Sequence, residues 1–151
     1  MEEASNTQSY RLTEYDDYWT IPIVGERLTQ IIIGLGLRFQ FLESEEQTFI
    51  WIGGEFHLEV NGEKHLLSTE EPAKLEPLLA LVNAAVESAR AYKDGLLELN
   101  FEKRGKLSMH PHPEVESWGI TGAYGLRVVC TPGGELAIWQ ADPPARGGPA
   151  H

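Results

Sequence analysis

Apolar and polar residues alternate most cleanly in the C-terminal half of the chain. Leu97, Leu99 and Phe101 interleave with Glu98, Asn100 and Glu102, and Leu107 and Met109 with Lys106, Ser108 and His110, the period-two signature of half-buried strands. A three-residue loop of Lys103, Arg104 and Gly105 joins the two runs, with Gly105 at the left-handed position such loops favour. This register sets Phe101 opposite Leu107, Leu99 opposite Met109 and Glu102 opposite Lys106. Leu126 to Thr131 and Glu135 to Trp139 read the same way around Pro132, Gly133 and Gly134. Here Cys130 faces Leu136 and Val128 faces Ile138, while Arg127 meets Trp139 on the other side within cation–π reach. Glu116, Trp118 and Ile120 mark one face of an intervening strand, which completes a five-strand antiparallel meander.

The N-terminal half is equally rich in β-branched and aromatic residues. Strands are predicted over Trp19 to Val24, Leu28 to Ile33, Leu37 to Leu42, Thr48 to Val60 and Lys64 to Leu67, with turns near Gly25, Gly34 to Gly36 and Asn61-Gly62. Gly53-Gly54 interrupts the longest run and predicts a bulge or sharp bend. At Asn61-Gly62 two registers compete: a two-residue turn sets Leu58 opposite His65, a three-residue loop sets it opposite Leu66.

Between these halves the period changes. Leu75, Leu78, Leu79, Val82, Ala85, Val86, Ala89 and Tyr92 recur at spacings of three and four, which predicts an amphipathic helix over Lys74 to Lys93. Ser68 to Pro72 supply capping and first-turn residues, Asp94-Gly95 a C-terminal stop, and Pro77 is tolerated if it lies in the first turn. The expected fold class is α+β: roughly ten short strands in antiparallel meanders packed on one helix. The expected organisation is a flexible acidic N-terminus at 1–17, one domain at 18–140 and a flexible Pro/Gly/Ala-rich tail at 141–151.

Charge narrows the partners. Twelve Lys and Arg against 23 Asp and Glu give a net charge of −11 over 151 residues, opposite to what nucleic acid or an anionic membrane attracts. One cysteine, no leader pattern and no apolar run of spanning length point to a cytoplasmic protein. No phosphate-binding glycine loop, GxSxG elbow, HExxH helix or EF-hand loop occurs, and no cofactor is implied.

Individual residues leave open chemistry. Cys130 follows two valines on an apolar face, so it reads as a small buried hydrophobe rather than a nucleophile. His110 and His112 share a face of an extended segment and are the weak candidates for metal ligation, although Pro111 and Pro113 more simply mark an exposed sheet edge. His57 and His65 flank the Asn61-Gly62 turn. Glu43, Glu45 and Glu46 cluster, as do Asp16 and Asp17 beside Tyr15, Tyr18 and Trp19, a mixture of acid and amphipathic rings suited to protein binding. Trp51, Trp118 and Trp139 read as packing residues.

Ser-Trp-Gly-Ile-Thr-Gly from Ser117, and Gly-Leu-Arg-Val-Val-Cys-Thr-Pro-Gly-Gly-Glu-Leu-Ala-Ile-Trp ending at Trp139, resemble the C-terminal signature of a small bacterial β-rich domain family of unknown function. The resemblance implies an accessory or toxin-immunity-like protein and assigns no catalytic residue. The functional expectation is therefore a non-enzymatic domain that presents an acidic surface to a basic protein partner, with Asp16, Asp17, Trp19, Glu43, Glu45 and Glu46 as the binding residues. Two alternatives stand beside it. One is a small-molecule, metal-binding or enzymatic domain with a concave site where His57, His110 or His112 meet carboxylates; the other is a structural homo-oligomer.

Overall fold

In the computed structural model, which describes residues 11–42 and 47–141, the chain forms two antiparallel sheets around one core. The strands are β1 (Thr13–Glu14), β2 (Tyr18–Thr20), β3 (Leu28–Ile33), β4 (Leu37–Leu42), β5 (Gln47–Ile52), β6 (Glu55–Val60), β7 (Glu63–Ser68), β8 (Val86–Tyr92), β9 (Leu97–Phe101), β10 (Gly105–Met109), β11 (Trp118–Thr121), β12 (Arg127–Cys130) and β13 (Leu136–Trp139). A seven-stranded sheet runs β1-β2-β8-β9-β10-β6-β7, and a six-stranded sheet runs β13-β12-β11-β5-β4-β3. Phe39, Phe41, Ile50 and Trp118 from one sheet and Phe56, Leu58, Leu97 and Leu99 from the other are buried in the same cluster, the arrangement of a two-layer β fold.

The expected helix is absent, and with it the α+β class. Pro72–Lys74 and Glu76–Leu81 are 3₁₀ helices, and Val86–Tyr92 is strand β8. Two local effects imitate the helical spacing. Leu75, Leu78 and Leu81 are buried at the three-residue repeat of a 3₁₀ helix, not the 3.6 of an α-helix, and Leu79 points outward with 62% of its surface exposed. A bulge between Val86 and Ser88 then turns Val86 and Ala89, three apart, to the same side. Beyond it the strand period is plain, with Ala89 and Ala91 buried. Asn83, at φ 72°, breaks the chain direction between the two parts.

The five-strand meander is also overturned. β9 and β10 lie in the seven-stranded sheet, β10 beside β6, whereas β11 crosses to the other sheet and pairs with β5. Within the β9–β10 hairpin the register is two residues from the expected one: Gly105 faces Phe101, Leu107 faces Leu99 and Met109 faces Leu97. Lys103, not Gly105, takes the left-handed conformation, at φ 57°. Gly105 is needed for a different reason, since a Cβ there would lie 2.1 Å from the Glu59 carbonyl oxygen of β6. A shift of two preserves the faces, and Lys106 reaches Glu98 at 3.0 Å instead of Glu102.

The β12–β13 hairpin has the predicted register, with Cys130 on Leu136, Val128 on Ile138 and Arg127 on Trp139; the Arg127 guanidinium carbon lies 5.7 Å from the Trp139 ring centre. Asn61 and Gly62, at φ 53° and 77°, form the two-residue turn that sets Leu58 opposite His65. Gly53-Gly54 is the sharp bend at which the chain leaves β5 for β6 in the other sheet. Part of the stretch assigned to a flexible start belongs to the fold: Leu12 is buried, its N–H donates to Gln140 Oε1 at 3.0 Å, and β1 pairs with β2. Among the described residues no helix is long and apolar enough to cross a membrane.

Candidate functional site

Of the three crossings between the sheets, the two that follow β5 and β10 meet at one end of the fold. The first is Gly53-Gly54; the second is the segment from His110 to Ser117 that carries the chain from β10 to β11. They are tied together where the Gly53 N–H donates to the Ser117 carbonyl at 2.9 Å. Gly54, at φ 113°, exchanges hydrogen bonds with Thr69, donating to its Oγ1 at 2.8 Å and accepting from its N–H at 3.0 Å. The second crossing is braced from behind, because the His112 carbonyl accepts the Gly133 N–H at 2.8 Å. Between the crossings lies a groove of about 600 Å³.

Histidines and carboxylates converge in this groove. His57, His110 and His112 line it together with Glu55, Glu70 and Glu116. His57 and His110 meet edge to face, with ring centres 6.0 Å apart. His112 accepts the Glu114 N–H on Nδ1 at 2.9 Å. Leu35, Leu66 and Val115 also line the groove although they are 105%, 59% and 52% exposed. The lining holds three carboxylates and neither lysine nor arginine.

That imbalance is local. On the polar face of the seven-stranded sheet the charges alternate across neighbouring strands: Arg90 stands opposite Glu98, Lys106 opposite Glu59, and Glu59 opposite Lys64. Arg90 also donates to the Tyr92 hydroxyl at 3.3 Å, a bond that holds its guanidinium above the ordinary arginine range, and stacks 4.4 Å from the Tyr18 ring centre. Glu59 and Glu98 on this face thus stand opposite cations, whereas Glu55, on the same face where it enters the groove, stands opposite Ser68.

The nucleophile reading gains nothing. Cys130 is buried and is not among the groove's lining residues. Burial pushes its thiol up, opposed in part by the neighbouring Ser117 hydroxyl, so little thiolate forms near neutral pH. Among the described residues no three His, Cys, Asp or Glu side chains converge as metal ligands. His65 turns to the face opposite His57, as the Leu58–His65 register requires.

The other sequence candidates lie elsewhere. Asp16 and Asp17 are exposed between β1 and β2, and the Asp17 carbonyl accepts the Lys93 N–H at 2.9 Å. Trp19 is packed on the core, with the Lys93 ammonium 5.7 Å from its ring centre. Glu43, Glu45 and Glu46 lie outside the described residues. What sequence reasoning missed was the apolar part of the groove. Its signal was an apolar residue out of place: Leu35 between two glycines, Val115 between two glutamates, and Leu66 breaking the alternation before Leu67.

A family model matches residues 19–140, from β2 to the end of β13. The chain belongs to that family of unknown function, DUF6188. Of the likeness drawn from Ser117 to Trp139, membership of a family of unknown function is what the match shows, over residues 19–140. Every groove residue falls within the DUF6188 match, and Asp16 and Asp17 fall outside it. No curated protein and no solved structure matches the chain.

Proposed function

We propose that this chain is a non-enzymatic binding domain whose groove receives a basic segment of a protein partner. One observation carries the reading: Glu55, Glu70 and Glu116 line the groove with no lysine or arginine among them, beside the exposed apolar side chains Leu35, Leu66 and Val115. An arginine or lysine flanked by apolar residues satisfies both features, its charge against the carboxylates and its stem against the apolar rim. The remaining negative charge of the −11 chain would speed encounter with such a partner. A basic bacterial toxin held by its immunity protein in the cytoplasm is one partner of this kind. In this reading Glu55, Glu70 and Glu116 take the place of Asp16, Asp17 and Trp19 as the residues to test first.

A second reading is favoured by the size of the groove, which lies within the range of small-molecule sites. A small organic cation would meet the same carboxylates together with the His57–His110 pair.

The test is backbone-amide shift mapping with a short amidated peptide of arginine and leucine, compared with the same peptide carrying glutamate in place of arginine. Selective shifts at 53–57, 66–70 and 109–117, weakened several-fold by salt and by the Glu55→Gln/Glu116→Gln variant, are expected. Equal responses to both peptides, or shifts scattered over the sheet faces, would refute the reading. A mono-cationic amine producing the same shifts as the peptide would favour the small-molecule site.

A further inference from the structure

The two sheets have four edges, and three of them are protected in the usual ways. β1 has two residues and carries Glu14, bound to Lys93 at 2.7 Å. β7 carries Glu63 and Lys64. β13 has four residues, follows Glu135, and ends on Trp139 beneath Arg127. The fourth edge, β3, has six residues, and no charged residue or proline lies between Arg27 and Arg38.

From Ile31 to Ile33 this edge is apolar on both faces. Ile31 and Ile33 stand beside the buried Phe39 and Leu37 on the core side, yet Ile33 remains 51% exposed; Ile32, on the outer side, is 43% exposed. Leu28 is already engaged, its N–H donating to Ala84 and its carbonyl accepting from Asn83. Beyond Leu28 no further strand flanks β3 among the described residues.

We propose that β3 pairs antiparallel with β3 of a second copy of this chain, joining the two six-stranded sheets into one continuous sheet about a two-fold axis. Charge selects this occupant. Two molecules of net charge −11 repel wherever carboxylates meet, and the run from Leu28 to Leu37 contains none; the nearest charges on either side are the cations Arg27 and Arg38. A basic partner, by contrast, would find no anion there. Antiparallel pairing about Ile32 also sets Ile31 of each copy opposite Ile33 of the other, so the core face gains cover for its exposed end. No residue of β3 itself lines the groove, whose Leu35 lies in the following turn.

Sedimentation velocity from low-micromolar to near-millimolar protein tests it. The expected result is a weight-average mass rising toward twice that of the chain, and a dissociation constant at least tenfold weaker in Ile32→Lys, whose side chain is exposed in the monomer. Gln30→Lys, on the same outer face, should act likewise and serves if Ile32→Lys does not fold; Leu66→Lys, on the groove, should leave association unchanged. A monomer throughout the range, association untouched by both edge lysines, or association abolished by Leu66→Lys instead would overturn the proposal.

Discussion

Trp118 donates its indole N–H to the carbonyl oxygen of Gly95 at 2.9 Å, a bond that pins β11 of one sheet to the turn between β8 and β9 of the other. Both residues are buried, and the Cys130 thiol approaches the same oxygen at 3.6 Å. Replacing Trp118 by Phe keeps an aromatic ring but leaves the carbonyl with only a weak thiol donor. The expected loss is about 1–3 kcal/mol, read as a lower urea midpoint.

Gly95→Ala should cost more than Trp118→Phe. Its φ is 105°, and a Cβ would lie 2.7 Å from the Gly134 Cα and 2.9 Å from both the Gly134 oxygen and Pro111 Cβ. Backbone must move on two elements at once, including the brace behind the groove. A denaturation midpoint for Gly95→Ala above that of Trp118→Phe would contradict this packing.

Stability should fall in alkali through Cys130. Burial holds the folded thiol above its ordinary value of 9.0, so the unfolded chain releases this proton first as pH rises. The neutral thiol's contribution is complete below about pH 9 and is lost progressively from there toward the higher folded value. The Cys130→Ala variant removes this contribution, so the stability difference between wild type and variant should shrink above that pH in denaturant titrations. A difference constant to pH 11 would refute the assignment. The native thiol should also react with Ellman's reagent only after denaturant is added.

Lys103 occupies the left-handed region at φ 57° in the exposed β9–β10 turn, a conformation that costs a non-glycine residue roughly 1–2 kcal/mol. Glycine relieves that strain at some expense in unfolded-chain entropy. Lys103→Gly should therefore be neutral or stabilising by up to about 1 kcal/mol, whereas Gly105→Ala next to it should be strongly destabilising, because its Cβ would meet the Glu59 carbonyl oxygen. Thermal melts of the two variants moving in the same direction would contradict the observed register.

That pair also shows how far the sequence could be read. Turn chemistry located the β9–β10 hairpin but chose its glycine as the turn residue, because nothing local reveals that β6 presses on Gly105. In the β12–β13 hairpin Gly133 and Gly134 serve the turn itself, at φ 90° and 107°, and there the register was legible. The helix reading failed for a related reason: a 3₁₀ helix followed by a bulged strand reproduces spacings of three and four without a helix. Of the groove, His57, His110 and His112 were visible as individual candidates. Their convergence was not, since it depends on β10 and β11 belonging to different sheets.

The pairing of β11 with β5 has a consequence for the order of assembly. β5 carries Phe49, Ile50, Trp51 and Ile52 and receives its second neighbour only when Trp118–Thr121 arrives, long after β4 can pair on its other side. During synthesis β5 therefore waits as an open apolar edge, and contacts so distant along the chain close slowly. The groove exists only once this closure is made, so a nascent chain acquires it only after β11 has emerged.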